Sequence, residues 1–312
     1  MDVLVVGDAN PDLILAGDTV PRFGQAEQLL DRADLVLGGS GSIAACGLAR
    51  LGVVTGMVAV VGNDMFGTLV RDRLLARGVD VGGVSTDLRT PTGLSVILTD
   101  GEDDRAILTL LGTVPGLDAA QVLARVEASA PRHVHLASYF LQPGLAAALP
   151  GVLDELRGRG ITTSLDTNWD PAERWTGLAE VLPRVDILLP NRAEVLAIAG
   201  ALGVQTGGDV VVAARGLAAY GCRVVVKCGA EGAVSVGPDL RTARVVGPVV
   251  EVVDTTGAGD SFDAGYLAAV LGGVTDESER LRWATVAGAL SVRAAGGTAG
   301  QATAEELRAG LG

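Results

Sequence analysis

Residues 254–270 read DTTGAGDSFDAGYLAAV, and they place two carboxylates around a run of small residues where a helix is predicted to start. Gly257 and Gly259 allow close backbone approach and unusual φ/ψ angles. The backbone N–H groups from Gly257 through Ala258 to Asp260 would then point out of the first helical turn. Such a turn can bind an anion.

A carboxylate beside a bound phosphate is unfavourable unless it faces the group that attacks the phosphate. In that position Asp260 can accept the proton of a substrate hydroxyl, while the N–H groups stabilise the transferring phosphoryl oxygens. The stretch therefore predicts phosphoryl transfer, with Asp260 as base and the backbone of Gly257, Ala258 and Gly259 as anion hole. The alternative is that Asp260 only interacts favourably with the helix dipole.

The composition predicts a globular protein that binds neither nucleic acid nor membrane. The 312 residues are 48% hydrophobic but 3% aromatic, so the core must consist of Val, Leu, Ala and Ile. A formal net charge of −13 and a single lysine, Lys227, argue against non-specific binding to nucleic acid. Cys46, Cys222 and Cys228 lack the spacing of a zinc site and predict free thiols in a reducing compartment.

The N-terminal MDVLVVGDAN enters a strand-like run without a basic region or a cleavage site. The longest uncharged stretch, Ser138–Leu153, is short for a membrane span and contains two prolines. We therefore expect a soluble, cytoplasmic protein.

Short apolar runs alternate with longer helical patterns, which predicts a mainly parallel sheet with helices on both faces. The predicted strands are Val3–Val6, Val53–Val61, Val134–Ala137, Thr162–Leu165, Ile187–Leu189 and Val224–Val226. The predicted helices include Gly41–Leu51, Met65–Arg77, Ala119–Ala128, Leu145–Arg157, Ala193–Ala199 and Val210–Tyr220. The strand runs are continuously apolar, as expected of strands buried on both faces. The sequence thus predicts a three-layer α/β/α fold.

Two segments interrupt this alternation. Residues 13–37 and 92–112 contain strand-like runs and turn signals but no strong helical pattern. They predict a small β-sheet lid, and residues 1–12, 38–91 and 113–312 would form the α/β body. Strand edges invite pairing, so we expect apolar residues on one face of the lid and a homodimer formed through it.

Four motifs resemble those of the ribokinase-like (PfkB) carbohydrate kinases, in the expected order over essentially the whole chain. They are GGSGSIAACGLARLG (38–52), PNRAE (190–194), VVVKCGAEGAV (224–234) and DTTGAGDSFDAG (254–265). The resemblance implies ATP-dependent phosphorylation of a hydroxyl on a small sugar or sugar-like acceptor. A nucleoside kinase of the adenosine- or pseudouridine-kinase type is an alternative within the family. A non-enzymatic nucleotide or sugar sensor is an alternative of another class.

The resemblance also implies which residues bind the cofactors ATP, Mg²⁺ and a monovalent cation such as K⁺. Asn191 and Glu194 would arrange Mg²⁺ through water, as suits a hard cation; the alternative is an Asn helix cap with a first-turn acid, and both roles can coexist. Asp254 and Thr256 lie where relatives bind the monovalent cation, and a capping role is the alternative for Asp254. The residues implied to line the nucleotide are Asn191, Lys227, Gly229, Gly232, Gly259 and Thr285.

On the acceptor side, the resemblance implies that Asn10 and Asp12 hold hydroxyl groups close to Asp260. The residues that would let the acceptor lie against the backbone are Gly38, Gly39 and Gly41. Ile43 departs from the pattern, because relatives that bind free sugars usually carry Asn there. Loss of that amide favours an acceptor with an apolar portion or with fewer hydroxyls than ribose.

Two further patterns allow other interpretations. Residues 39–44 match the dinucleotide pattern G-x-G-x-x-A, but they follow a lid segment rather than the first strand of a sheet. His133 and His135 share one face of a strand without a third ligand nearby, which favours packed histidines over a metal site.

Asp166 and Asn168 match a family position near the phosphates, although the Arg that usually follows is missing.

Overall fold

The computed structural model describes residues 1–24, 27–99 and 105–312, and the chain forms thirteen strands within them. In chain order they are β1 (Val3–Val6), β2 (Asn10–Gly17), β3 (Leu30–Gly38), β4 (Thr55–Gly62), β5 (Asp80–Asp87), β6 (Leu94–Thr99), β7 (Arg105–Leu110), β8 (His133–Ala137), β9 (Thr162–Asp166), β10 (Ile187–Leu188), β11 (Arg223–Lys227), β12 (Ala233–Val236) and β13 (Thr242–Val245). All six predicted strands are present, with bounds that differ by at most two residues.

The same ranges contain ten α-helices, and none of them is long and apolar enough to cross a bilayer. They are α1 (Ser40–Arg50), α2 (Met65–Ala76), α3 (Ala119–Ser129), α4 (Pro143–Gly158), α5 (Leu178–Val181), α6 (Arg192–Ala201), α7 (Val210–Ala218), α8 (Ala258–Leu271), α9 (Glu277–Ser291) and α10 (Ala304–Leu311). Several of these helices are preceded by an N-cap residue whose carboxylate accepts a backbone N–H of the first turn, such as Asp64 before α2 and Asp118 before α3.

Nine strands form the main sheet, in the order β13-β12-β11-β10-β9-β8-β1-β4-β5. The neighbours from β11 to β5 run parallel, whereas β12 and β13 extend the β11 edge as antiparallel strands. Successive side chains of β1 point to opposite faces of the sheet. Leu4 packs in the core between the sheet and helices α3 to α7, and Val5 packs in the core between the sheet and helices α1, α2, α8 and α9. This double burial explains the continuous apolar runs, and the predicted three-layer fold is confirmed.

Three strands of the main sheet were not predicted. The sequence of β5, DVGGVSTD, has no apolar run, because β5 is an edge strand whose residues are mostly half-buried or exposed. The short strands β12 and β13 lie at the opposite edge, where β13 likewise alternates between half-buried and exposed residues. Edge strands such as β5 and β13 bury less surface, so their hydrophobic signal is weak, whereas β12 is buried throughout but its four residues, AVSV, are too few to give a clear pattern.

Four strands form a second sheet, here called the small sheet, in the order β3-β2-β6-β7. Strands β2 and β6 are parallel, and the two outer pairs are antiparallel. Strand β2 begins at Asn10 and β3 ends at Gly38, so the small sheet reaches beyond the predicted lid segments. The division into lid and body at the predicted residues stays a prediction, and residues 25–26 and 100–104 of those segments lie outside the described ranges.

Candidate active site

The predicted catalytic residue lies at the carboxyl edge of the main sheet. Asp166 and Lys227 are the last residues of β9 and β11, and Asp8 follows β1. All three are close enough to Asp260, in the first turn of α8, to influence its protonation. Open α/β sheets bind their ligands at this edge.

The turn before α8 requires glycine. Gly257 has a φ of 72°, and a Cβ built on it would lie 2.8 Å from Gly297 Cα and 2.9 Å from Ile43 Cγ2. Ile43 is 3% exposed, and its carbonyl accepts a hydrogen bond from Gln301 Nε2 at 2.8 Å. Its side chain therefore packs under the turn, and its effect on the acceptor would pass through the position of that turn.

The first turn of α8 provides N–H donors, because no side chain caps this helix. The Ala258 N–H already donates to the Thr255 carbonyl at 3.2 Å. The N–H groups of Gly259 and Asp260 are among the four that an α-helix leaves without an internal partner. The geometry therefore favours Gly259 and Asp260 over Ala258 as donors to a bound anion.

Asp260 is 9% exposed. Burial, together with the nearby Asp166 carboxylate, raises the pKa of Asp260 to about 7, although a hydrogen bond from the Ser40 hydroxyl opposes this rise. A general base works best when its pKa lies near the working pH. The environment of Asp260 is thus suited to proton transfer.

Lys227 lies in a buried ionic cluster. Its Nζ is 2.7 Å from Asp166 Oδ2, and it is 3.1 and 3.3 Å from the two carboxylate oxygens of Asp263. Burial opposes the charge on Lys227, but Asp166 and Asp263 outweigh it and raise the lysine pKa. A Cβ built on Gly259 would lie 3.6 Å from this Nζ, so the ammonium lies next to the anion-binding turn.

Two residues of the cluster have pKa values that shift in opposite directions. Burial raises the pKa of Asp263 well above its usual value, although the Lys227 ammonium opposes this. Burial would also raise the pKa of Asp166, but the Lys227 ammonium together with hydrogen bonds from Asp263, Lys227 and the Asn168 N–H lowers that value. Asp263 was not predicted as a site residue, because within DSFDAG it reads as an ordinary helix position three residues after Asp260.

Asn191 and Glu194 form a capping box at the start of α6. The Glu194 N–H donates to Asn191 Oδ1 at 2.9 Å, and the Asn191 N–H donates to Glu194 Oε2 at 2.8 Å. Burial and the Asp166 carboxylate raise the pKa of Glu194 to about 7. The capping interpretation is therefore realised, and the magnesium role stays a prediction that is compatible with it.

Three of the predicted nucleotide residues, Lys227, Gly229 and Gly232, lie at the end of β11 or in the turn between β11 and β12. Gly229 and Gly232 have φ values of 58° and 89°, and a Cβ built on Gly232 would lie 2.0 Å from the Val245 carbonyl oxygen. Thr285 is buried in α9, where its hydroxyl donates to the Leu281 carbonyl at 2.9 Å. Backbone rather than the Thr285 hydroxyl is thus the surface that this region offers to a nucleotide.

The predicted monovalent-cation residues Asp254 and Thr256 lie next to each other in the loop before α8. The two carboxylate oxygens of Asp254 accept the N–H of Thr256 at 2.8 Å and the N–H of Gly296 at 2.7 Å. Asp254 therefore joins two loops, which is the structural role that the sequence left open. Its role in binding a cation stays a prediction.

On the acceptor side, the glycines make room for polar side chains. Asn10 Nδ2 donates to Asp12 Oδ1 at 3.1 Å, and both residues are 6% exposed. A Cβ built on Gly38 would lie 2.0 Å from Asp12 Oδ1, and one on Gly39 would lie 3.0 Å from Asn10 Oδ1. Glycine is therefore required here to seat Asn10 and Asp12 themselves.

Asp8 was not predicted, although it organises the start of α1. Its carboxylate oxygens accept the N–H of Gly41 at 2.9 Å and the N–H of Ser40 at 3.2 Å. The N-cap residue of α1, Gly39, has no side chain to do this. The only signal in the sequence was the clustering of Asp8, Asn10 and Asp12 within one short loop and strand.

The two competing patterns have structural explanations. Residues 39–44 open α1 after β3, which belongs to the small sheet and not to the main sheet. His133 bonds the hydroxyls of Thr162 and Ser164, each at 2.8 Å, and His135 Nδ1 bonds Ser164 Oγ at 2.8 Å. Both imidazoles are fully buried between the sheet and its helices.

Comparison with known proteins agrees with this geometry. The family profile described as pfkB family carbohydrate kinase matches residues 1–304. An ATP-dependent ribose-1-phosphate kinase of Halopiger xanaduensis is 32% identical over 293 residues, which cover 93% of this chain and 91% of that protein. A nucleoside kinase of Methanothermobacter thermautotrophicus is 30% identical over 286 residues, which cover 87% of this chain and 83% of that protein.

Solved structures with the same fold contain the expected ligands. The Arabidopsis thaliana ribokinase complexed with ribose and ATP has a TM-score of 0.84 at 25% identity, and the match covers 99% of this chain and 98% of that chain. An E. coli protein provisionally assigned as ribokinase II, in complex with ATP and Mg²⁺, has a TM-score of 0.83 at 25% identity with the same coverage.

Proposed function

Because the chain belongs to the pfkB family of carbohydrate kinases, and is therefore a phosphotransferase acting on hydroxyl groups, we propose that it transfers the γ-phosphoryl group of ATP to a small sugar or sugar-like acceptor. Asp260 is the base, and the first turn of α8 is the anion hole. The observation that carries this proposal is a buried carboxyl with a pKa of about 7 in a first helical turn that no side chain caps.

The proposed step is an in-line displacement. Asp260 takes the proton of the acceptor hydroxyl while the acceptor oxygen forms its bond to the γ-phosphorus. The bond from that phosphorus to the oxygen bridging the β-phosphate breaks, and its electron pair leaves with ADP. The N–H groups of Gly259 and Asp260 would hold the non-bridging oxygens, where charge is concentrated.

The donor set fits Mg²⁺ bound together with ATP. One ammonium, that of Lys227, lies among the carboxyl groups of Asp166, Asp263 and Glu194, and it also acts on Asp260. A polyanion can enter such a site only with a cation that offsets the repulsion. Asn191 and Glu194 would hold Mg²⁺ through water, and the ion would neutralise the phosphates and polarise the transferring group.

A monovalent cation is a second part of the proposal. The loops joined by Asp254 bring Thr256 and Gly296 close to the turn that precedes α8. An ion such as K⁺ bound there would stiffen the anion-binding turn. Turnover that is equal in potassium and tetramethylammonium salts would argue against this ion.

The acceptor class is supported by the relatives, which include kinases of ribose 1-phosphate, ribose and nucleosides. Ile43 provides no amide for a hydroxyl, which favours acceptors other than free ribose, and because its side chain is buried against Gly257 and Gly297 its effect would pass through the turn before α8. A nucleoside kinase is the second candidate, favoured by the nucleoside-kinase relative. A screen with ATP against ribose, ribose 1-phosphate, 2-dehydro-3-deoxygluconate and nucleosides separates these candidates, and no turnover with any of them would favour a sensor.

Asp260→Asn tests the proposed base. The amide is nearly isosteric and leaves the N–H groups in place, so we expect the fold and ATP binding to be kept. Turnover should fall by about 10²–10⁴, the usual contribution of a positioned general base. Asp276→Asn is the control, because Asp276 is a helix-start carboxylate that bonds the Glu279 N–H of its own first turn. Near-normal kcat with a lowered Tm for Asp260→Asn would contradict the catalytic role.

A further inference from the structure

A chain of hydrogen bonds links two strand ends to the proposed base. The Ser138 backbone N–H donates to Asn168 Oδ1 at 2.8 Å, and Asn168 Nδ2 donates to Ser40 Oγ at 3.0 Å. The Ser40 hydroxyl in turn bonds Asp260 Oδ1. Ser138 follows β8, Asn168 follows β9, and Ser40 opens α1, so three separate elements meet at one carboxylate.

The direction of this chain is fixed by its first member. A backbone N–H can only donate, so the atom of Asn168 that faces Ser138 must be the carbonyl oxygen. The amide nitrogen therefore faces Ser40 and occupies one lone pair of its hydroxyl oxygen. The Ser40 proton is then directed to Asp260 Oδ1, which can only accept it.

The backbone at two of these positions is held in an uncommon conformation. Asn168 and Ser138 have φ values of 52° and 56°, in the left-handed region that residues other than glycine rarely adopt. Such strain persists only where the surroundings enforce it, and it concentrates at functional sites. Asp8 also holds the backbone of Ser40 through its N–H at 3.2 Å, which fixes where its side chain starts.

We propose that Ser40 is a positioning residue for Asp260. The Ser40 hydroxyl, which Asn168 orients, bonds Oδ1 of Asp260 and leaves Oδ2 as the oxygen that takes the proton of the acceptor. This inference rests on the proposed function, because it concerns the base of that reaction.

The charged groups around Asp260 make this donor important. Asp8 and Asp166 disfavour its ionised form, while the Lys227 ammonium favours it. Asp263, in the next turn of α8, has a pKa well above its usual value because of burial, and Asp260 contributes to that rise. Ser40 adds a hydroxyl donor that binds the ionised carboxylate. Removing the hydroxyl should therefore shift the acid limb of the pH–rate profile to higher pH.

Ser40→Ala is the main test, measured with ATP and the acceptor selected by the screen. We expect kcat near pH 7 to fall about tenfold, as for the loss of one hydrogen bond to a charged group, and to recover towards pH 9. The KM for ATP should stay within about twofold, because the α8 N–H groups are unchanged. Ser40→Thr keeps the hydroxyl and should restore the wild-type profile.

Two more variants isolate the network. Ser42→Ala is the matched control, because the Ser42 hydroxyl bonds only the Gly38 and Gly39 carbonyls, and its pH profile should match the wild type. Asn168→Asp keeps a side chain that tolerates the left-handed backbone but replaces the donor to Ser40 by an acceptor. It should displace the acid limb in the same direction as Ser40→Ala.

A readout without an acceptor makes the test independent of the screen. The carboxyl band that infrared difference spectra lose in Asp260→Asn reports the protonation of Asp260, and it should titrate at higher pH in Ser40→Ala. An unchanged titration and an unchanged pH–rate profile in a folded Ser40→Ala protein would overturn the inference and leave the kinase proposal intact. Full activity of Asp260→Asn would instead overturn the proposed function.

Discussion

At the residue scale, the single lysine shows how strongly a side chain depends on its surroundings. The family pattern implied that Lys227 lines the nucleotide, whereas its ammonium is bound by Asp166 and Asp263 inside the protein. A buried ion pair contributes little net stability, but removing one partner leaves an unpaired charge that is costly. The cluster also keeps a positive charge close to Gly259, where a phosphate would bind.

Lys227→Met should therefore destabilise the protein strongly. Asp166 and Asp263 would remain buried without a cation, which costs about 3–5 kcal/mol of unfolding free energy. Adding Asp263→Asn should recover part of this loss, because one of the two unpaired carboxyls is removed. Urea unfolding of both proteins measures the difference, and a double variant no more stable than Lys227→Met would contradict this account.

At the element scale, the close packing of α8 and α9 positions the proposed catalytic turn. A Cβ built on Gly265 would lie 2.6 Å from Ala287 Cβ and 2.7 Å from the Trp283 carbonyl oxygen. A Cβ on Gly288 would lie 3.1 Å from the carbonyl of Ala258, in the first turn of α8. Small residues thus bring the two helices together and support the first turn of α8 from behind.

Gly265→Ala should push these helices apart. Overpacking of this kind costs about 1–3 kcal/mol, and it should also lower kcat because the first turn of α8 moves. Gly151→Ala in α4 is the matched control: a Cβ there meets nothing within 4 Å, so the substitution should stabilise the protein by about 0.5–1 kcal/mol. Chemical unfolding of both variants measures the two changes in unfolding free energy, which should have opposite signs. Equal changes in the two variants would refute the packing argument.

At the scale of the whole molecule, the two histidines tie stability to pH. Burial lowers the pKa of His135 to about 4, although Asp166 opposes this, and burial lowers that of His133 to about 3. Between pH 6.5 and these values the unfolded chain binds protons that the folded chain does not, so the histidines reduce stability as the pH falls. Asp260 and Glu194, whose pKa values are raised to about 7, have the opposite effect over the same range.

Comparison with His135→Asn separates these opposing effects. Asn can still bond Ser164 but cannot take up the proton, so the wild type should lose stability relative to the variant as the pH falls from about 6.5 towards 4. The expected slope is about 1.4 kcal/mol per pH unit for one proton. Urea unfolding at several pH values measures it, and a difference that does not depend on pH would show that His135 is protonated in the folded state.

The small sheet offers a surface for self-association. Its edge strand β7 exposes Ile107, Leu108 and Leu110 by at least half, on both faces of the strand rather than on one. We expect a homodimer formed through this strand, because edge strands with exposed apolar side chains pair readily. Light scattering should show dimers that Leu108→Lys weakens, whereas Leu75→Lys, at a similarly exposed leucine of α2, should not. A wild type that stays monomeric at high concentration would exclude the dimer.

The sequence by itself determined the layers and the chemistry of this protein. Continuous apolar runs such as Val3–Val6 are required when a strand is buried on both faces, so the order of strands and helices could be predicted from local pattern. The glycines before Asp260 predicted a tight turn at a helix start, and Gly257 has the positive φ of 72° that such a turn requires. Weakly apolar edge strands such as β5 lay beyond this reasoning.

Only the tertiary structure decided which polar atoms meet. Ser40 and Asp260 are 220 positions apart, and Lys227 and Asp166 are 61 apart, so no local pattern links them. Their contacts follow from the strand order of the main sheet, which brings the ends of β8, β9 and β11 to one edge. The same packing places Ile43 under the turn before α8 and Lys227 in the interior, because the direction of a side chain depends on the elements that cover it.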